Sequence, residues 1–174
     1  MIAASLFAFR IDQRMILFTN KWLLLFTPPL LLLQRNTMSE HYFSEQFNPR
    51  FCDTDALGHI NNTMVPAWFE GARDPVFRWF SPTLDLNDWK LILAKIDVNF
   101  IDQMFYGQPM ELRTYIGRIG GSSFDVYQEV WQHEKLCASG TAVMVHFDYT
   151  QQKSAKIPES ITALMKEYLY QPNT

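Results

Sequence analysis

From Trp89 onward the chain repeats one pattern, a polar–apolar alternation, through successive runs separated by turn residues. Successive side chains of a strand point to opposite faces, so a period of two marks half-buried strands. In the first run Ile92, Ala94, Ile96, Val98 and Phe100 share one parity, against Lys95, Asp97 and Asn99. Met110, Leu112, Thr114 and Ile116 repeat it against Glu111 and Arg113, as do Phe124, Val126 and Val130 against Asp125 and Glu129. Residues 136–149 are apolar on both parities, the pattern expected of a central strand covered on two faces. Tyr106-Gly-Gln-Pro109, Gly120-Gly-Ser-Ser123 and His133-Glu-Lys135 supply short connections, which imply antiparallel neighbours. An earlier strand is expected around Phe43, Phe47 and Phe51, which share one parity.

Two helices bracket the later strands. Over residues 63–74, Met64, Trp68 and Ala72 recur at helical spacing beside Val65 and Phe69, with Asn61 or Asn62 as the cap. Pro75 lacks a backbone donor, so this helix should end or bend there, with residues 76–80 as a further turn. A second helix should start near Pro158 and carry Ile161, Leu164, Met165, Tyr168 and Leu169 on one stripe. The order is one strand, one long apolar helix, then four antiparallel strands. That is an α+β domain whose sheet needs the first helix to cover its concave face.

At 174 residues and 48% hydrophobic content, the chain suits one well-buried domain. Its net charge of −3 comes with scattered Lys and Arg, which speaks against nucleic acid as a partner. Two cysteines, Cys52 and Cys137, form no CxxC pair and read as ordinary thiols of a reducing compartment, so a cytoplasmic location is expected. The four histidines, His41, His59, His133 and His146, show no metal-ligand spacing, so no metal is expected.

Residues 1–37 differ from the rest. Their apolar run from Met15 to Leu33 is broken by Lys21 and Pro28-Pro29, where a spanning helix wants roughly 20 unbroken apolar residues. No small-residue cleavage site follows. The folded domain is therefore assigned to residues 38–174, with Met38 the favoured start of translation. A targeting or membrane-associated segment is the second reading of 1–37.

One segment concentrates chemical groups: Arg50-Phe-Cys-Asp-Thr-Asp-Ala-Leu-Gly-His-Ile-Asn-Asn62, between a strand and a helix. Free N–H groups at a helix N-terminus attract negative charge and can stabilise the oxyanion of an attacked thioester. Asp55 lies a few residues upstream, placed to act as a nucleophile or as a base toward water. By composition alone the same string also suits a capped turn.

The string Arg-x-x-Asp-Thr-Asp-Ala-Leu-Gly-His-Ile-Asn-Asn, continued by Phe69-Glu-Gly-Ala-Arg73, resembles the signature of hotdog-fold acyl-CoA thioesterases of the 4-hydroxybenzoyl-CoA thioesterase type. The likeness continues through Asp97-Val-Asn-Phe-Ile101, Phe105-Tyr-Gly107, Gly121-Ser-Ser-Phe124 and Phe147-Asp-Tyr149. It implies an antiparallel sheet wrapped around a long central helix, and an acyl-CoA substrate with no cofactor. It further implies a homodimer joined edge to edge with its active site between protomers, often a dimer of dimers. Asp55 matches the catalytic carboxylate, and the backbone N–H near Asn62 matches the oxyanion donor. Gly58, His59 and Asn61 match positions shaping the thioester pocket, and Asp53 one that fixes the loop. Glu70 and Arg73 read as a buried charge pair or an interface contact, with Glu70 also a secondary catalytic candidate. Ser122 and Ser123 are candidates to meet the pantetheine arm. Val65, Pro66 and Pro75 depart from the pattern.

Other readings follow from the same residues. A dehydratase would show Phe-Pro after its histidine, where His59 precedes Ile-Asn-Asn. A non-catalytic module binding acyl-CoA or acyl-carrier thioesters would not need Asp55. A bare dimerisation module leaves residues 53–62 without a purpose.

Overall fold

The structure is a computed structural model that describes residues 41–172. The expectations for residues 1–37 lie outside that range. The strands are β1 (Phe43–Phe47), β2 (Leu91–Phe100), β3 (Met110–Ile119), β4 (Ser123–Gln132), β5 (Lys135–Asp148) and the short β6 (Lys153–Ser154). They form one antiparallel sheet in the order β1-β3-β4-β5-β2, with β6 against β5. Consecutive strands β3, β4 and β5 pair as hairpins, as the short turns imply. Phe51 falls outside β1, in a 3-10 turn, and its ring is exposed.

Helices α1 (Met64–Gly71) and α2 (Asp74–Phe77) cross the sheet, and α3 (Glu159–Glu167) follows β6. The expected helix over 63–74 is therefore shorter and interrupted. Pro75 has no N–H for the Gly71 carbonyl four residues back, and its ring crowds that carbonyl. The ladder stops at Gly71, and a new turn begins with Val76 and Phe77 N–H donating to the Arg73 carbonyl at 2.9 and 3.0 Å. At the other end Asn61 makes the start: its Oδ1 accepts the Thr63 N–H at 3.0 Å.

The core lies between helices and sheet in two clusters. Under α1, Val65, Phe69 and Ala72 meet Met110, Leu112, Val130 and Ala138. Under α2 and α3, Val76, Phe77 and Phe80 meet Phe124, Val126, Ile157 and Met165. Each large apolar side chain so buried contributes about 1.5–3 kcal/mol. On α3, Leu164 points outward while Ile161 and Met165 are buried, which narrows the expected stripe. Contact between α1 and the sheet is closest at Gly140. A Cβ there would stand 2.6 Å from the Asp97 carbonyl oxygen and 2.8 Å from Phe69 Cε2.

Two strands depart from expectation in how their faces are covered. One face of β5 is buried (Ala138, Gly140, Ala142, Met144), and on the other Cys137 and Ser139 are buried while Thr141, Val143 and Val145 are half-buried. β2 is an edge strand, as β1 is at the other side, bulged between Leu93 and Lys95, and its apolar parity divides: Val98 packs against the core under α1 while Ile96 and Phe100 are exposed. Ile96 is 37% exposed and Phe100 52%.

Candidate active site

Residues 53–61 fold into a miniature hairpin. The Asn61 N–H donates to the Asp53 carbonyl at 2.8 Å, Thr54 opposes Ile60, and the Asp55 N–H donates to the His59 carbonyl at 2.8 Å. The turn needs a left-handed residue, and Gly58 supplies it at φ 82°. Asp55 closes the turn with its side chain as well. Its Oδ1 accepts the Leu57 N–H at 2.8 Å and the His59 N–H at 3.1 Å. The capped-turn reading and the catalytic reading thus describe the same residue. Oδ2 makes no hydrogen bond among the described residues. One carboxylate oxygen is anchored and the other is left free.

That carboxylate faces a cavity of about 450 Å³ lined by Asp55, His59, Asn61 and Asn62 from the hairpin and by Phe100, Asp102, Gln103 and Met104 from the segment after β2. Asn62, one of the lining residues, has a main-chain N–H with no acceptor among the described residues. The two loops are stitched together: Ile60 N–H donates to the Met104 carbonyl at 2.8 Å, and the His59 and Phe105 rings meet edge to face at 5.2 Å. Sequence reading did not single out Asp102 or Gln103. Their only local signal is a polar pair between an apolar strand and a Tyr-Gly turn, and their approach to Asp55 depends on tertiary register.

Asp102 is a second carboxylate in the wall, but its charge is matched. The Lys135 ammonium and the Gln103 N–H hold its carboxyl below the usual carboxylate range. Near neutral pH it is an ionised, paired group, unlike Asp55 with its free oxygen.

Asp53 lies behind the hairpin, 2% exposed, and does not reach the cavity. Its carboxylate accepts the Arg50 N–H at 2.7 Å and the Arg50 guanidinium at 2.9 Å. Burial opposes its charge, yet the Arg50 side-chain and main-chain bonds outweigh that and hold the carboxyl below its ordinary value. A carboxyl depressed in the folded state stabilises the fold above its unfolded value, about 3.9, and loses that contribution as pH falls through the folded one. Asp53→Asn should therefore cost about 1–2 kcal/mol at pH 6. The gap from wild type should narrow as pH falls below about 4. Urea unfolding across that range checks it, and a constant gap counts against the role.

The remaining candidates lie elsewhere in the single chain. Glu70 is exposed on the outer side of α1, beside a separate cavity of about 560 Å³ shared with Asp74, Phe77 and Trp89. Arg73, 2% exposed, donates to Gln128 Oε1 at 3.2 Å. A buried Glu70–Arg73 pair does not form, because α1 ends between them at Gly71, with Glu70 on the solvent side and Arg73 turned into the core. Ser122 and Ser123 sit at the β3–β4 turn, where the Ser122 carbonyl accepts the His146 N–H and Ser123 Oγ accepts from Arg118.

Residues 49–165 match the model of the Thioesterase-like superfamily. The chain belongs to that superfamily. Its enzyme class, thioester hydrolase, comes with the membership, and the curled antiparallel sheet over a short, bent helix is its hotdog fold. The structure of a predicted thioesterase from Bacillus stearothermophilus is 37% identical, covering 76% of this chain and 100% of its own, with TM-score 0.73. A Thermus thermophilus thioesterase, solved with coenzyme A and zinc, is 25% identical over 71% of this chain and 96% of its own, at TM-score 0.63. A Staphylococcus aureus protein solved with CoA shares the fold at 14% identity, TM-score 0.66, over 76% of this chain and 87% of its own. Among curated proteins none matches the sequence. No helix of the described residues in this thioesterase-superfamily chain is long and apolar enough to cross a membrane.

Proposed function

We propose that this chain hydrolyses acyl-CoA thioesters to the free acid and CoA, with Asp55 as the reacting carboxylate. The observation that carries the reading is the free Asp55 Oδ2 on the same cavity as the unbonded Asn62 N–H. An acyl carbonyl bound there has a carboxylate on one side and a donor for its developing oxyanion on the other. In the nucleophilic course, Oδ2 bonds to the carbonyl carbon, the C–S bond breaks, CoA leaves as thiolate, and water hydrolyses the anhydride. In the base course, Asp55 takes a proton from water as that water attacks, and the proton ends on the thiolate. Gly58, His59 and Asn61 shape the thioester end of the pocket. CoA bound to the Thermus thermophilus relative supports CoA as the carrier.

The working unit is a homodimer joined at β2, with the cavity completed by the partner. Support comes from the unpaired edge of β2 and the apolar side chains exposed along it, Leu93, Ile96 and Phe100. A bare apolar edge invites a second strand. Sedimentation at micromolar concentration is expected to give twice the chain mass, and a monomer with full activity would sink the dimer. In that assembly Ser122, Ser123 and Glu70 remain candidates for contacts with the partner or the pantetheine arm.

The function itself is tested by thiol release from acetyl-, octanoyl-, palmitoyl- and benzoyl-CoA, wild type beside Asp55→Asn. Turnover of at least one substrate, lost in the variant, is expected. Binding of all four with cleavage of none would leave a thioester-binding module instead.

A further inference from the structure

The segment that walls the cavity opposite Asp55 is held by a side chain no motif marks. Gln132, at the end of β4, is 4% exposed. Its Oε1 accepts the Phe105 N–H at 3.0 Å while its Nε2 donates to the Phe105 carbonyl at 3.0 Å and, more weakly, to the Gln108 carbonyl at 3.5 Å. The primary amide thus pairs with both polar groups of one residue, as a neighbouring strand would.

Phe105 in turn stands directly opposite His59 in an antiparallel bridge. The link on that side is the Ile60 N–H to Met104 carbonyl bond at 2.8 Å, so His59 and Phe105 form a pair whose own N–H and carbonyl groups point away from each other. Those of Phe105 turn to Gln132. Those of His59 turn to Asp55, which receives the His59 N–H on Oδ1 at 3.1 Å and gives its own N–H to the His59 carbonyl at 2.8 Å. Four residues from three parts of the chain lie in one row: Gln132, Phe105, His59, Asp55. The last carries the free oxygen, and the first is rooted in the rigid sheet.

We infer that Gln132 is a positioning residue for Asp55, acting through the main chains of Phe105 and His59. The inference rests on the reading of Asp55 as the reacting group. The hairpin 53–61 stands apart from the sheet ladders, and its one main-chain bond to the facing loop among the described residues is that from Ile60. Beside the buried Met104, the facing loop has three polar ties to the sheet among the described residues. Ile101 and Asp102 N–H donate to the Cys137 carbonyl at 2.8 and 2.9 Å, and Asp102 pairs with the exposed Lys135. Gln132 supplies the third, and it is the tie that falls on Phe105, the residue opposite His59. Without it the loop stays attached at its start and by the buried Met104, but the Phe105 main chain is no longer held from the sheet side. A displacement of about 1 Å at a reacting group costs up to about a hundredfold in rate.

The test is a double-mutant cycle on the best substrate of the four-member panel. Gln132→Met keeps length and removes all three bonds. It is expected to lower kcat about tenfold with KM within about threefold of wild type. Combined with Asp55→Asn, it should change the residual rate less than about twofold, because the group it positions is gone. An equal loss in both backgrounds would show a general structural role and overturn the inference, as would a loss below about twofold in wild type. Should Gln132→Met fail to fold, Gln132→Glu decides. It keeps the acceptor for the Phe105 N–H and regains the donor only when protonated. Burial raises a carboxyl's pKa, so the variant's rate relative to wild type should climb as pH falls toward the acid limit of folding, and a ratio flat down to that limit overturns the inference. Asp55→Asn alone at full rate removes the parent reading, a result distinct from any behaviour of Gln132.

Discussion

Asp55→Asn is expected to cut kcat about a hundredfold or more, with KM within a few-fold of wild type and an unchanged unfolding midpoint. The separation of effects follows from how the two carboxylate oxygens are used. Oδ1 is structural, accepting the Leu57 and His59 N–H groups that close the hairpin. An asparagine carbonyl accepts the same two bonds, so the turn survives. The free Oδ2 becomes an NH₂ group, which neither attacks a carbonyl nor takes a proton from water. Loss of a positioned base typically costs about 10²–10⁴-fold. The variant retains the Asn62 N–H and the cavity, so substrate binding and a residual rate should persist. A variant with more than about a tenth of the wild-type rate would remove Asp55 from the chemistry.

Gln128→Leu is expected to destabilise the domain by about 3 kcal/mol, more than Arg73→Met. The reason is a buried polar network at the end of α1. Gln128 Nε2 donates to the Phe69 carbonyl at 2.8 Å and to Thr114 Oγ1 at 3.1 Å, and Thr114 Oγ1 donates to the Ala72 carbonyl at 3.3 Å. The carbonyls freed where α1 stops are thus satisfied from the sheet. Gln128 Oε1 also receives the Arg73 guanidinium, whose Nε has no partner among the described residues. Burial disfavours that charge, and only the nearby carboxylate of exposed Glu70 works the other way. Leucine at 128 leaves a buried cation and a buried carbonyl unpaired, each costing about 1–3 kcal/mol. Methionine at 73 removes the cation itself and leaves one amide oxygen to find water, the milder change. Denaturant unfolding of both variants gives the order, and the reverse order would show that Arg73 is a net stabilising charge.

The strands were legible because their alternation survives in the fold with little distortion. β3 shows it best, with Met110, Leu112, Thr114 and Ile116 all buried. Position within the sheet was not legible. Ile96 and Phe100 carry the same alternation as an interior strand and lie exposed on an edge, because alternation marks the two faces of a strand and not its place in the sheet. The helix was legible as a period, and Pro75 marked its limit. The stop came at Gly71, before the proline, because the ring's clash is felt one turn back. Of the cavity, the half drawn from residues 55–62 was readable as contiguous sequence. Asp102 and Gln103 reach it across a loop pairing that no local spacing encodes, and Gln132 acts from a strand that otherwise reads as framework.

Gly140 sets the height at which α1 rides over the strands. The Phe69 ring rests on bare main chain there, about two turns beyond Asn62. Any residue bearing a β-carbon would have to push aside the Asp97 main chain or the Phe69 ring, and with that ring the helix. A position that owns no reactive atom thus bears on the proposed site through the single carbon it lacks.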